Sequence, residues 1–322
     1  DYRTAFSIAN AGYVMSFNLN NTEGSALKQL QFGFGINRIA SFNSRILVEG
    51  YNDENSLMTQ YRNDADLAGT DRNNLSDFGA GLAYDVNLLY LDTNNVWQVD
   101  MPYGGLSQSK SVETHGGITE TVFSTGANIS EKLFVGMTLG FPHINYEEES
   151  RYTEKDADES SPFLKSFDRT EYLYTRGTGI NFKLGFILKP IEFVRIGGAF
   201  HTPTAFYNMH DSYGATMTSY FDQPPLSNSN QTRFEESAPD GLYDYEIRTP
   251  LKAMGSLAFV IGKYGIVSAD YEYIDYTTAR LRASDYNFSE ENSAIKDYFQ
   301  SASNIRIGTE WKAGIFALRG GY

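Results

Sequence analysis

The sequence predicts an all-β fold, an antiparallel up-and-down transmembrane β-barrel with long, partly helical extracellular loops. Apolar and polar residues alternate through segments such as 251–261 and 266–273, which is the period of a strand whose two faces meet different surroundings. Short turns alternate with long connections along the chain, as in barrels with tight turns on one rim and large loops on the other. Aromatic residues form 15% of the chain, which suits the aromatic girdles of such barrels.

The length of 322 residues fits a single barrel domain over residues 1–322, because all-β barrels often reach this size as one unit. No segment approaches the roughly 20 consecutive apolar residues of a membrane-spanning helix, so a helical membrane protein is excluded. A soluble β-protein with a tyrosine-rich surface is the alternative to a barrel. The net charge of −14 argues against binding to nucleic acid, whose phosphates require a basic surface.

Ten segments have the pattern of barrel strands, an even number as in single-chain bacterial barrels. They are residues 13–18, 30–36, 112–129, 133–141, 172–188, 193–207, 251–261, 266–273, 304–311 and 314–322. In the fifth segment, Phe182 and Leu184 alternate with Asn181 and Lys183. A lysine that faces lipid at the bilayer midplane would cost about 2–4 kcal/mol, so we expect Lys183 to face the lumen.

Three stretches are predicted to be long outer loops. Between residues 55 and 95 the apolar residues recur at mixed helical spacings, which predicts short helices within a structured loop. Residues 146–168 and 207–243 are acidic and rich in tyrosine. Acidic blocks are usually solvated surface, and calcium bridging to lipid head groups is a second interpretation. Because tyrosine is enriched at interfaces, these two loops are also candidate docking surfaces for a protein partner.

The sequence offers no catalytic residues, no metal site and no cofactor site. His115, His143, His201 and His210 lie far apart without metal-ligand spacing, and the chain has no cysteine, which removes thiol catalysis and zinc–thiolate sites. A nucleophile elbow, a metalloprotease helix motif and a phosphate-binding glycine loop are also absent from the sequence. We therefore expect a protein that is not an enzyme and that uses no cofactor.

Three passages carry a resemblance to a known family. They are residues 131–142 (EKLFVGMTLGFP), 185–203 (GFILKPIEFVRIGGAFHTP) and 305–311 (IRIGTEW). The second is the most specific, because a passage of this order and spacing joins two barrel strands across a periplasmic turn in that family. On these motifs the chain resembles the FadL/TodX family of outer-membrane transporters for hydrophobic compounds, over most of residues 120–322.

The resemblance implies a channel in the outer membrane of a Gram-negative bacterium, surrounded by membrane lipids and lipopolysaccharide. Such a channel takes up hydrophobic or amphipathic molecules, for example long-chain fatty acids, by passive transfer. In the family a hydrophobic outer groove is formed by loop helices, which correspond here to residues 55–95. The residues expected to face the ligand or to form the groove are Phe78, Leu82, Leu88, Leu89 and Trp97. The alternative role of these five side chains is to pack the loop onto the barrel rim.

Two other functions are compatible with the same architecture. The barrel would serve as a docking platform for a secretion or surface-protein partner, or as a general diffusion porin. The chain also departs from the family pattern, in which a barrel of fourteen strands is plugged by an amino-terminal hatch with an Asn-Pro-Ala sequence. Since this sequence contains no Asn-Pro-Ala and predicts ten strands, we expect an incomplete barrel whose hatch and further strands lie outside it.

Overall fold

The computed structural model describes residues 9–19, 25–101, 104–159, 161, 163–225 and 230–322, and its elements are mostly strands. The strands are β1 (Asn10–Asn18), β2 (Leu27–Ser41), β3 (Ser44–Asn52), β4 (Leu89–Leu91), β5 (Trp97–Val99), β6 (Leu106–Ile129), β7 (Leu133–Asp156), β8 (Leu164–Leu188), β9 (Val194–His201), β10 (Ala205–Phe221), β11 (Arg233–Ser237), β12 (Gly241–Arg248), β13 (Lys252–Ile261), β14 (Gly265–Asp275), β15 (Arg280–Arg282), β16 (Ser301–Ala313) and β17 (Phe316–Gly321). The helices are α1 (Leu57–Ala68), α2 (Ala80–Asp85) and α3 (Ser289–Tyr298), with 3₁₀ turns at Arg72–Asn74 and Tyr276–Thr278.

Ten strands form a continuous antiparallel wall, in the order β1-β2-β6-β7-β8-β9-β13-β14-β16-β17. Neighbours in the wall follow one another in chain order, which is the up-and-down pattern. These ten strands match the ten predicted segments one for one. The predicted all-β, antiparallel, up-and-down architecture is therefore confirmed.

The register of the wall gives it two chemically different faces. On the outer face, Phe34 contacts Phe123 with 5.2 Å between the ring centroids, and Leu184 on β8 is 51% exposed. The intervening residues point to the inner face, where the Lys183 ammonium lies 2.5 Å from the buried Glu120 carboxylate. Because side chains alternate along each strand, this one register fixes the side of every residue in the wall.

Outward apolar side chains such as Phe34, Phe123 and Leu184 form an apolar band around the wall. The strands β6, β7, β8 and β10 extend well past this band, and in these extensions two loop predictions are wrong. Much of 146–168, including the acidic residues 147–149, belongs to β7 and β8, and most of 207–243 belongs to β10, β11 and β12. Residues 160, 162 and 226–229 of these stretches lie outside the described residues. The sequence misleads because polar residues occupy both faces, whereas ladder hydrogen bonds continue a sheet wherever the neighbouring strand also continues.

Two neighbouring strands of the wall are interrupted at the same level. β10 continues β9 alongside β8, and β12 lies beside β10 just as β13 lies beside β9. Pro203 lies between β9 and β10, and Pro250 lies between β12 and β13. Proline has no N–H to give to a ladder. The threonines beside the prolines restore part of the connection, since Thr249 N–H donates to Thr204 C=O at 3.0 Å and Thr204 N–H donates to Thr249 Oγ1 at 2.9 Å. The result is a local seam across the wall.

The segment between β3 and β6 folds into a separate layer on the inner face of the extended strands. We call residues 53–101 the loop cap; it contains α1, α2 and the β4–β5 hairpin. The predicted short helices within 55–95 are thus present. No helix in the described ranges is long and apolar enough to cross a membrane.

A charge on the outer face tests what surrounds the wall. We expect Leu184→Arg to lower the free energy of unfolding in lipid vesicles by about 2–4 kcal/mol, because Leu184 faces out from the apolar band. Denaturant titration of the parent protein and of the variant in vesicles measures this difference in the free energy of unfolding. The control is Leu242→Arg on β12, where a leucine that is also more than half exposed (65%) lies beyond the band. An equal, small effect at both positions would show that the outer face meets water.

Candidate functional site

A cavity of about 520 Å³ lies on the inner face of the wall, near the rim with the tight turns. Its back is made of very small residues, because Gly126, Gly136, Gly185 and Ala199 pair side by side on β6, β7, β8 and β9. A side chain at these positions would project into the cavity. At Gly136 an added Cβ meets no atom closer than Thr125 O at 3.7 Å, so the glycines keep space free and are not needed for backbone packing.

The cavity is lined by both apolar and polar side chains. Phe134, Ile187 and Met254 contribute apolar surface, and Arg306 and Glu272, which pairs in register with Met254, contribute polar groups. Cavities of a few hundred cubic ångströms with mainly apolar walls and a few placed polar groups are typical of small-molecule sites. The arrangement suits a ligand that is largely hydrophobic and carries at most a small polar end.

A belt of paired charges lies on the inner face next to the cavity, on the side of the loop cap. Glu120 accepts hydrogen bonds from Lys183 at 2.5 Å and from Asn181 at 2.7 Å. Glu272 binds Lys252 at 3.3 Å and also Arg306 at 3.4 Å. Because these cations lie beside carboxylates, the belt presents polarity without a strong field of one sign.

His201, one of the four histidines considered for metal binding, lies in this region. His201 pairs in register with Lys183 and Lys252, so a cation flanks it on each side. Within the part of the chain that the structure describes, no group of three or more His, Asp or Glu side chains could hold a metal ion.

The five predicted groove residues lie in the core of the loop cap. Leu82, Leu88, Leu89 and Trp97 are each at most 2% exposed, and Phe78 packs against the same cluster. The cluster continues into the strands β8 and β10, where its members include Leu164, Phe167, Met217 and Phe221. Their burial shows that these residues fix the cap to the extended strands. Contact with a ligand stays a prediction.

Glu154 on β7 anchors the start of the loop cap. Its carboxylate is fully buried and accepts hydrogen bonds from Ser56 Oγ at 2.5 Å, from Leu57 N–H at 2.9 Å and from Gln108 at 2.8 Å, as well as from the Tyr152 hydroxyl. Ser56 is also the N-cap of α1. A carboxylate at a helix N-terminus satisfies free N–H groups and interacts favourably with the helix dipole. The wall thereby fixes where α1 begins.

Arg169 on β8 is the second anchor. Its guanidinium donates to the Phe78 carbonyl at 2.7 Å, to the Tyr61 hydroxyl and to the Glu171 carboxylate at 2.6 Å, so it joins α1, the start of α2 and the wall. Burial raises the pKa of Tyr61 to about 12, an effect that the nearby Arg169 opposes. Burial alone would raise the pKa of Glu171, but hydrogen bonds from Arg169 and Tyr213 outweigh it and hold this pKa below its ordinary value.

Sequence reasoning missed both anchors and the apolar lining of the cavity. Glu154 and Arg169 look like ordinary solvated charges in the sequence, and their partners on the loop cap are 97 to 98 and 91 to 108 residues away. The inner glycines were a usable signal, because Gly136 and Gly185 fall at inward positions of predicted strands. Glycine in a strand often marks close approach of another group.

The comparisons with known proteins add likenesses of fold. No family model and no curated protein matches the sequence. Among solved structures, the chain is similar to the toluene transporter TbuX of Ralstonia pickettii (TM-score 0.40, 14% identity, 68% of this chain and 66% of that chain covered). It is also similar to the monoaromatic hydrocarbon channel CymD (0.37, 12%, 72% and 70%) and to the toluene transporter TodX of Pseudomonas putida (0.39, 10%, 97% and 71%).

The chain spans 66% of the TbuX chain and about 70% of the other two. Identities of 10–14% concern the fold and do not say what this chain binds. The architecture itself follows from the strand pairing described above.

Removing the second anchor should loosen the loop cap. In Arg169→Met we expect the free energy of cap opening to fall by about 2–3 kcal/mol, because the half-buried Glu171 loses its cation and Phe78 and Tyr61 lose a charged hydrogen-bond donor. Hydrogen exchange of the α1 amides measures the opening. The control is Arg233→Met, which breaks an exposed pair with Glu235 and should leave the exchange of the α1 amides unchanged, because exposed ion pairs contribute little. Unchanged exchange in Arg169→Met would show that this side chain does not hold the cap.

The lowered pKa of Glu171 also predicts how the cap responds to acid. Since the folded pKa lies below the ordinary 4.5, the ionised carboxylate stabilises the closed cap fully above pH 4.5, and this contribution is lost as pH falls through the folded pKa. We expect the free energy of cap opening, obtained from α1 exchange rates after correction for the intrinsic pH dependence of amide exchange, to fall in that acidic window. Glu171→Gln should flatten the response. A cap whose opening is independent of pH from 6 down to 3 would contradict this assignment.

Proposed function

We propose that the chain forms the wall of an outer-membrane channel for passive uptake of hydrophobic or amphipathic molecules, such as long-chain fatty acids, in a Gram-negative bacterium. The observation that carries the proposal is the two-faced wall with an apolar cavity on its inner side. An exposed apolar outer face fits surrounding lipid, because lipid-facing and lumen-facing residues alternate in transmembrane barrels. The paired charges of the inner belt fit a water-filled interior.

The energetics of capture support a hydrophobic ligand. Burial of each CH₂ group contributes about 0.8 kcal/mol, so an alkyl chain or a ring placed against Phe134, Ile187 and Met254 would gain several such increments. Within the loop cap, Phe78 borders a smaller cavity of about 390 Å³ between α1 and α2. We propose that this cavity is the first contact of the ligand, and that the buried Leu82, Leu88, Leu89 and Trp97 keep it in shape.

The exit in this proposal is a break in the wall or a path past a hatch. The seam at Pro203 and Pro250 supports the first route, because two neighbouring strands of the wall are interrupted at one level. Threonine hydroxyls replace ladder bonds there. Such contacts separate more easily than a continuous ladder, since each is a single hydrogen bond worth about 1 kcal/mol.

The alternative function is a docking platform for a secretion or surface-protein partner. The long extensions of β6, β7, β8 and β10 favour it, because they carry acidic and tyrosine-rich faces well beyond the apolar band. A platform would capture a protein partner and would need no free cavity. A channel needs the cavity and no partner.

Filling the inner cavity separates these functions. We expect Gly136→Phe to reduce uptake of a long-chain fatty acid and of toluene by at least about tenfold in cells that express the chain, because the new ring occupies the space in front of the glycine row. The wall itself should tolerate the change, since nothing lies within 3.7 Å of the new Cβ. Uptake is followed with radiolabelled compounds at matched surface levels of the protein.

The matched control is Gly320→Phe. Gly320 lies on the outer face of β17 and does not line the cavity, and an added Cβ there meets no atom closer than Thr309 at 3.9 Å, so the same chemical change adds a ring outside the cavity. We expect its uptake to equal that of the parent protein. Normal uptake in Gly136→Phe would overturn the channel proposal, and partner binding that survives in this variant would favour the platform.

A further inference from the structure

The outer face of the wall changes from apolar to basic where the apolar band ends. Phe141 on β7 and Ile180 on β8 are outward members of the band at that end. Ladder pairing places two rows of outward residues directly beyond them, which we call the boundary rows: Arg38, Thr119, His143, Thr178 and Asn208 in the first, and Ser41, Gly117, Asn145, Arg176 and His210 in the second. Among the described residues of β2, β6, β7, β8 and β10, these two rows contain basic side chains and no carboxylate.

The boundary rows lie between two layers of different chemistry. The tight turns are at the opposite end of the strands, so the boundary rows face the head groups of the outer leaflet in a barrel of this kind. Farther out, carboxylates return with Glu147 in the next row and with Glu113 and Glu149 in the row after it. In a chain of net charge −14, cations are thus concentrated at the one level where a lipid surface presents its charged groups.

Arg38 is held in a defined position within these rows. Its guanidinium donates to Ser41 Oγ at 3.0 Å and to the Gly116 carbonyl at 3.2 Å. A Cβ added to Gly117 would lie 3.5 Å from Arg38 Nε, so the side chain extends from β2 over the bare backbone of β6. The charge of Arg38 is therefore placed beside Gly117, on the way to β7.

Arg176 flanks the same place from the other side. It pairs in register with Asn145, which pairs with Gly117. Three strand spacings, about 14 Å, separate β2 from β8, a gap that two arginine side chains can close onto one anion. The floor of the gap is small and polar, because it consists of the glycine backbone and the Asn145 amide.

The carboxylates nearest to this gap bind other groups. Asp244, which continues the second boundary row on β12, lies 2.6 Å from the His210 ring. Glu147 accepts a hydrogen bond from the Asn145 amide at 3.4 Å. The field over Gly117 and Asn145 is therefore set mainly by the two arginines.

We infer that Arg38 and Arg176 bind a phosphate group of an outer-leaflet lipid, the phosphorylated glycolipid lipid A. A guanidinium matches a phosphate with two parallel hydrogen bonds. The gap adjoins the apolar band, so a lipid whose acyl chains lie against the band brings its phosphate to this level. The inference rests on the outer-membrane location that the proposed function also uses, and it does not depend on uptake through the wall.

Native mass spectrometry of the intact protein in detergent tests the inference. The protein is titrated with lipid A that carries both phosphates and with the same lipid A after removal of its phosphates, so that the acyl chains are identical. EDTA is present so that divalent ions cannot bridge phosphates to the acidic rows. We expect the parent protein to bind the phosphorylated form at least about tenfold more tightly, the effect of one charge-assisted hydrogen bond.

Variants of the two arginines locate the binding. Arg38→Gln/Arg176→Gln should bind both forms of lipid A equally, and Arg176→Gln alone should already lower the preference. Arg38→Lys/Arg176→Lys should keep part of it, because lysine also binds phosphate as a point charge. The matched control is Arg45→Gln, which removes an outward arginine of β3 about 14 Å beyond the second boundary row and should keep the full preference.

Four outcomes would overturn the inference. They are equal binding of both forms by the parent, an unchanged preference in the folded Arg176→Gln variant, an equal loss in Arg45→Gln, and displacement of lipid A by millimolar inorganic phosphate, which would identify a soluble anion as the ligand. Folding is checked by heat-dependent migration in a detergent gel. Fatty-acid uptake by Arg176→Gln should equal that of the parent, and Gly136→Phe should bind lipid A normally, so failure of this inference and failure of the channel proposal are distinguishable.

Discussion

The structure depends on a wall in which every second residue faces a different environment. A shift of one residue in any strand would move its apolar side chains to the inner face. The outer contact between Phe34 and Phe123 and the inner pair of Lys183 with Glu120 lie in one register and could not both persist after such a shift. The glycine-backed cavity exists because this register brings three glycines together from three strands.

Two buried charges connect this wall to the loop cap. Glu154 binds the first turn of α1, and Arg169 binds the middle of α1 and the approach to α2. Each charge is surrounded by several hydrogen-bonding partners, which is the condition under which a buried charge is tolerated. The apolar cluster around Leu88 supplies the rest of the attachment. The cap is therefore held by specific polar contacts at its edges and by packing at its centre.

Much of the wall could be predicted because its information is local. Alternation identified all ten wall strands, and the expected inner position of Lys183 agrees with its pairing to Glu120. The extensions were mistaken for loops because residues such as 147–149 are polar on both faces, and their strand state is set by neighbouring strands. The anchors could not be predicted, since Arg169 acts through partners about ninety or more residues distant. The groove residues were recognised as an apolar set, yet spacing alone does not separate a packed core from an open surface.

The most direct test of the two-faced wall is a spin-label scan of residues 180–188 in lipid vesicles, which the absence of native cysteine makes straightforward. Oxygen concentrates in hydrocarbon, whereas a polar nickel chelate stays in water. We predict that labels at even positions collide mainly with oxygen and labels at odd positions mainly with nickel, with a strict period of two. Equal accessibility to nickel at all nine positions would show that both faces are in water and would contradict the account.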